Sequence, residues 1–235
     1  MDFTHLEDHF VNCGGQFLTS AFNLHEKTKN IKAYLFDWDG VFNDGVALTP
    51  EQGSGYSAVD AAGVFLLKLG HQLSHKKRPH LGIITGEINP QAQAFAERLS
   101  FDAAYVHTRE KSAALDHFAQ SLQLKDEEIC YVFDDVLDLG VAARVGVRLA
   151  VGRLANPILM EYMAENHLAD YISACQGQEH AVREFCELLL ALQGQHYRAI
   201  DERLQRGPAY RTMLEEATQV KTRKYQYLNA NFVEI

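Results

Sequence analysis

An α/β fold with a mostly parallel sheet is predicted for this 235-residue chain by two observations. Short apolar runs alternate with stretches of helical length and periodicity from residue 31 to 195, the pattern of successive βαβ units. Four of those runs also lead into residues able to do chemistry. Residues 31–36 run into Asp37-Trp38-Asp39-Gly40, 81–84 into Thr85-Gly86, and 129–133 into Asp134-Asp135 with Asp138 beyond; 103–106 is followed shortly by Lys111. In a parallel sheet the ligand crevice lies outside the carboxyl ends of the strands, so these groups are expected to converge.

Taken in order, the first strand leads into a turn-rich segment from Gly40 to Gly55. There Asp44-Gly45 between short apolar pieces signals a hairpin. A helix is predicted over 60–70, with Val64, Leu66, Leu67 and Leu69 on its apolar side. After the strand near 81–85, Asn89-Pro90 marks the start of the next helix. The strand near 103–107 leads to a helix from about Glu110, and the strand near 129–133 to one over 135–145. Residues 148–151 and 170–173 read as short strands with a helix over 157–167 between them, and 181–192 is an apolar-periodic helix closing the core. Three segments result: an N-terminal helical extension (1–30), the α/β core (31–195) and a polar, partly helical C-terminal tail (196–235).

Composition narrows the function. Lys and Arg number 22 against 31 Asp and Glu, a formal net charge of −9, which argues against nucleic acid as a partner because a phosphate backbone calls for a basic stripe. The cations of the tail, such as Arg203, Arg206 and Lys221, read as a solvated or interface helix. The longest apolar runs are strand-sized, so no membrane span is expected. Residues 1–8 carry acids and no basic stretch, so no signal peptide is expected and the cytoplasm is the expected location. Cys13, Cys130, Cys175 and Cys186 lack metal-site spacing, as do the eleven histidines, so neither zinc nor a disulfide framework is expected.

The residue types at the strand ends suit a divalent cation and a phosphoryl group. Asp37 and Asp39 stand two apart where a strand is ending, and a bend there lets one carboxylate attack phosphorus while the other handles the leaving-group proton. Asp134, Asp135 and Asp138 supply further hard oxygen donors of the kind Mg²⁺ accepts. Two carboxylates ~4 Å apart repel by roughly 4 kcal/mol at an effective dielectric of about 20, so such a cluster invites a cation. Thr85 and Gly86 offer a hydroxyl and backbone N–H groups to phosphate, and Lys111 a point charge beside the transferring group. Singly, each motif also fits a plain loop, turn, solvated lysine or helix-start carboxylate. Their occurrence together, in order, each after an apolar strand, favours an active site.

This set resembles the four motifs of the haloacid-dehalogenase-like phosphatase superfamily. The stretches 36–45, 83–86, 131–139 and 142–146 resemble, more narrowly, the 3-deoxy-D-manno-octulosonate 8-phosphate phosphatases, and 169–172 and 181–188 continue the likeness. The resemblance implies a Rossmann-like three-layer α/β/α sandwich with a minimal cap, formed by a hairpin flap over 41–56. It implies a Mg²⁺-dependent phosphomonoesterase acting on a small phosphorylated sugar or sugar acid, working as a homotetramer. Asp37 would be nucleophile and metal ligand, Asp39 general acid/base with its backbone carbonyl on the metal, and Asp134 the third ligand. Asp135 and Asp138 would support them. The chain departs from the family at Glu87 and Val59, where arginines are usual, and at Phe133, where glycine is usual. Losing two arginines weakens recognition of a carboxylate-bearing substrate. The alternative reading is a catalytically weak or inactive relative with a structural or regulatory role.

Overall fold

The computed structural model describes residues 2–46, 49 and 52–235. The leading segment contributes α1 (Phe3–Asn12), β1 (Gln16–Phe17) and α2 (Ala21–Thr28). The core follows as β2 (Ala33–Asp37), α3 (Ala58–His75), β3 (His80–Ile84), α4 (Pro90–Arg98), β4 (Ala103–Val106) and α5 (Lys111–Leu122). It continues through β5 (Ile129–Phe133), α6 (Leu139–Ala142), β6 (Val147–Ala150), α7 (Pro157–Glu165), β7 (Tyr171–Ile172) and α8 (Ala181–Leu192). The tail adds α9 (His196–Gln205), α10 (Pro208–Thr218), β8 (Arg223–Leu228) and β9 (Asn231–Glu234).

The nine strands among the described residues form one sheet in the order β1-β7-β6-β5-β2-β3-β4-β8-β9. Neighbours from β7 to β8 run parallel, and the outermost pairs, β1–β7 and β8–β9, are antiparallel. From β2 the chain builds outward through β3 and β4, then returns to the other side of β2 for β5, β6 and β7. The strand order therefore reverses between β2 and β5, where a parallel sheet opens its ligand crevice.

The apolar runs are near-continuous because both faces are covered. Along β2, Tyr34 and Phe36 face the core shared with α3 and α8, while Ala33 and Leu35 face the one shared with α5. The two-residue period continues in β5, with Cys130 and Val132 on the first face and Tyr131 and Phe133 on the second. This is the expected α/β sandwich.

Three differences from the sequence reading have physical causes. α3 runs past Gly70 to His75, because a Cβ at Gly70 would lie 2.1 Å from Leu190 Cδ2; the glycine there is a packing requirement against α8, not a stop. In place of a helix over 135–145 there is a 3-10 turn at Val136–Asp138 and then the short α6. Asp135 accepts from its own neighbour, Val136 N, and Asp138 Oδ2 accepts from Asp135 N, which tightens the first turn. The tail is not helical throughout: β8 and β9 extend the sheet, driven by Tyr225 stacking on Tyr105 at 5.3 Å with Phe232 edge-on at 5.1 Å. Of the expected flap over 41–56, residues 47, 48, 50 and 51 lie outside the described residues, and the described flanks are turns and extended chain without strand pairing.

Candidate active site

Asp37 is the last residue of β2 and shares, by alternation, the face of Leu35 that packs toward α5. Lys111, the first residue of α5, meets it there. Its Nζ lies 2.7 Å from Asp37 Oδ1 and 2.7 Å from Asp138 Oδ1. The Tyr131 hydroxyl, on the same face of β5, donates to that Asp138 oxygen. Asp134, one residue past β5, completes the cluster: Asp37, Asp134 and Asp138 are buried and each offers an oxygen within 4.8 Å of the others.

Burial sets the electrostatics. It pushes the Asp37 carboxyl well above its ordinary range, reinforced by the charge of Asp138 and only partly opposed by Lys111. Burial and Asp138 likewise push Asp134 up to about 6 against the opposing Arg153 guanidinium. Burial works against the Lys111 charge too, but Asp37 and Asp138 outweigh it and hold the ammonium protonated. Three buried acids thus outnumber the lysine between them, and a hard cation relieves the excess. The all-oxygen donor set fits Mg²⁺, which takes few carboxylates and keeps positions for water and phosphate oxygens.

Asp39 stands apart from those three side chains. Its Oδ2 accepts from Thr85 Oγ1 at 2.9 Å and its Oδ1 from Ser54 Oγ. Ser54 Oγ accepts in turn from Trp38 Nε1 at 2.9 Å and from Asn89 Nδ2 at 2.6 Å, which uses its one donor and both acceptor positions. Trp38 is buried and stacks on Phe42 at 4.7 Å, so the residue between the two catalytic candidates is an anchor. The chain turns away at Gly40, whose φ of +83° lies in the left-handed region. A Cβ there would sit 2.1 Å from both Arg153 Nη2 and Asp134 Oδ2.

A cavity of about 400 Å³ opens over this cluster. Asp37, Asp39, Gly86, Lys111, Asp134 and Asp138 contribute to its walls, together with Asp135, which is exposed. Thr85 is fully buried and reaches the site through its bond to Asp39. Three polar residues were missed in the sequence: Ser54, Asn89 and Arg153. Asn89 carried a signal as a helix N-cap, but Ser54 between two glycines and Arg153 after β6 carried none. Of the departures, Glu87 lines the cavity and pairs with Arg109 at 3.3 Å on the surface. Phe133 stacks in the core on Tyr131, and Val59 is exposed at the start of α3.

No family model matches the chain. It is 29% identical over 168 residues to the 3-deoxy-D-manno-octulosonate 8-phosphate phosphatase KdsC of Escherichia coli, spanning 72% of this chain and 84% of that one. A protein from Legionella pneumophila described as a HAD-superfamily (subfamily III A) hydrolase superposes with a TM-score of 0.65 at 30% identity, over 79% of this chain and 96% of its own. The chain belongs to the haloacid-dehalogenase-like (HAD) superfamily. A third relative of this HAD protein is the 3-deoxy-D-manno-octulosonate 8-phosphate phosphatase of Moraxella catarrhalis, whose structure is a complex with magnesium ion, phosphate ion and a KDO molecule. It superposes with a TM-score of 0.63 at 26% identity, over 76% of this chain and 97% of that one.

Proposed function

We propose that this chain is a Mg²⁺-dependent phosphomonoesterase acting on a small phosphorylated sugar or sugar acid through an aspartyl-phosphate on Asp37. The observation that carries the reading is the meeting of Asp37, Asp134, Asp138 and Lys111, from three strand ends, in one buried cluster below an open cavity. The named activity of its KdsC relatives supports the choice of a phosphorylated sugar acid.

Asp37, Asp134 and the backbone carbonyl of Asp39 would hold the metal, with Asp135 and Asp138 supporting. Bound there, Mg²⁺ supplies positive charge to the phosphoryl oxygens. A carboxylate oxygen of Asp37 attacks phosphorus as the bond to the sugar oxygen breaks, and Asp39 gives that oxygen its proton. Asp39 then takes a proton from water, the water oxygen attacks the aspartyl-phosphate, the phosphorus–Asp37 bond breaks and phosphate leaves. Thr85 suits this exchange because its hydroxyl can donate to an ionised Asp39 and accept from a protonated one, while Ser54, its acceptor positions taken by Trp38 and Asn89, donates to the other Asp39 oxygen. Lys111 offsets charge on the phosphoryl group beside Asp37 and Gly86 offers its oxygens a backbone N–H, whereas Thr85, fully buried, acts through Asp39 rather than on the phosphate directly.

The test is phosphate release from a panel of phosphorylated sugars, sugar acids and nucleotides with Mg²⁺ and with chelator. Turnover of a sugar compound that needs metal is expected, and Asp37→Asn is expected to abolish it without changing the melting temperature. No turnover anywhere on the panel would overturn the reading. We further propose, from the family resemblance, a cytoplasmic homotetramer. Exposed apolar side chains such as Val136, Leu154 and Ile158 support assembly. Light scattering that returned a monomer would remove that part.

A further inference from the structure

Arg153 is the cation of the cavity that the proposed chemistry does not use. It follows β6, so it enters from the β5–β6 side of Asp37, whereas Lys111 enters from the side of β3 and β4. Among the described lining residues these two are the only cationic side chains, and Lys111 is committed to Asp37 and Asp138. Arg153 Nη2 donates to Asp134 Oδ2 at 2.7 Å and to Gly40 O at 3.1 Å. Those two bonds use both hydrogens of Nη2 and fix the guanidinium. Among the described residues Nη1 makes no hydrogen bond and the buried Nε has no partner. The side chain is 23% exposed, enough for a ligand in the cavity to reach it. Nearby, a Cβ on Gly45 would come within 3.8 Å of Nη2, so the 43–46 loop passes beside it.

We propose that Arg153 is a specificity residue whose free Nη1 pairs with a carboxylate on the substrate, remote from the ester being cleaved. This rests on the phosphatase reading and deepens it. Phosphoryl transfer already has Lys111 and a metal site around Asp37, whereas the family's usual arginines at the positions of Val59 and Glu87 are gone. A planar guanidinium suits a carboxylate, and Asp134 and Gly40 hold this one pre-oriented at no further ordering cost. Gly40 serves both parts of the site: it lets the chain turn after Asp39 and leaves room for the Arg153–Asp134 pair.

The test compares 6-phosphogluconate with glucitol 6-phosphate, which carry the same chain and ester and differ only in carboxylate against hydroxymethyl. The readout is the ratio of their kcat/KM values in the Mg²⁺-loaded full chain, for wild type, Arg153→Ala and Arg153→Lys. A charge-assisted hydrogen bond of this kind is worth about ten- to hundred-fold in discrimination. Arg153→Ala is expected to lower the ratio by that factor through KM for the acid, and Arg153→Lys, which keeps the charge, to restore part of it. Should neither compound turn over, calorimetry of the same proteins reads the same difference in affinity, which separates failure of this inference from failure of the phosphatase reading. An unchanged ratio, an equal loss on both compounds, or equal or absent binding of the two by wild type would overturn the proposal and leave Arg153 as the counter-ion of Asp134. The lysine variant keeps the test decisive if Arg153→Ala does not fold.

Discussion

Ser54 links Asp39 to the aromatic anchor beneath it, and its removal tests how far the site depends on uncharged groups. Ser54→Ala would leave the buried Asn89 Nδ2 donor without its acceptor and Trp38 Nε1 with only its longer bond to the Ser54 carbonyl at 3.3 Å. An unpaired buried donor costs about 1–3 kcal/mol. Urea unfolding is expected to show a loss of about 1–3 kcal/mol, and kinetics a fall in kcat of about ten-fold from the loosened Asp39; wild-type stability would contradict the linking role. His71 gives a second prediction at this scale. Buried against Tyr34 and stacked on His75, it is lowered to about 3 by burial, with His75 and His80 adding to the effect. The unfolded chain therefore binds the extra proton below about pH 6.5. The stability from the neutral ring is complete above that pH and is lost as pH falls toward 3. Between pH 7 and 5.5 wild type should lose roughly 1 kcal/mol that His71→Phe does not lose, read by urea unfolding of both at each pH. The charged residues of the cluster were legible in the sequence because acids and a lysine abutting apolar strands have few structural duties. Ser54 and Arg153 were not, because their roles come from partners far along the chain.

Elements carry the site through close approaches that only the folded chain displays. Gly177, in the turn before α8, packs so tightly that a Cβ would lie 2.2 Å from Asn43 O and 2.4 Å from Gly40 O. Backbone atoms cannot swing aside as a side-chain tip does. Gly177→Ala is therefore expected to cost about 1–3 kcal/mol in urea unfolding, in the range for overpacking. It should also lower kcat/KM, since the displaced strand-to-loop segment carries Gly40. A variant with wild-type stability and activity would show that the loop yields freely. Periodicity located most helices and all the core strands in the sequence, because each buries one apolar stripe or two apolar faces. It stopped α3 short at Gly70, where the glycine answers to Leu190 on a helix more than a hundred residues later. It also overran the 135–145 segment, where Asp135 and Asp138 bond to the local backbone instead of continuing a helix.

At the scale of the whole molecule, the added hairpin matters most. β8 lies parallel to β4, in register from Ala103↔Arg223 to Val106↔Gln226, and β4 leads into the loop that delivers Lys111. Tyr225 and Phe232 cover Tyr105 and His117. A chain ending at residue 219 would expose that aromatic face and an unpaired strand edge, so a lower melting temperature and aggregation by light scattering are expected. A truncated chain as stable as the whole would show the hairpin to be an ornament on the sheet. Its sequence did carry a signal: Tyr225 and Tyr227 alternate, and Asn229 and Ala230, both at positive φ, form the two-residue turn. The polar composition around it masked that pattern. For the molecule as a catalyst, the most direct measurement is chemical trapping of the intermediate. Borohydride reduction of protein quenched during turnover converts an aspartyl-phosphate to homoserine, and peptide mass spectrometry locates it. Conversion at position 37 is the expected result; its absence there during demonstrated turnover, or its appearance at another aspartate, would contradict the account.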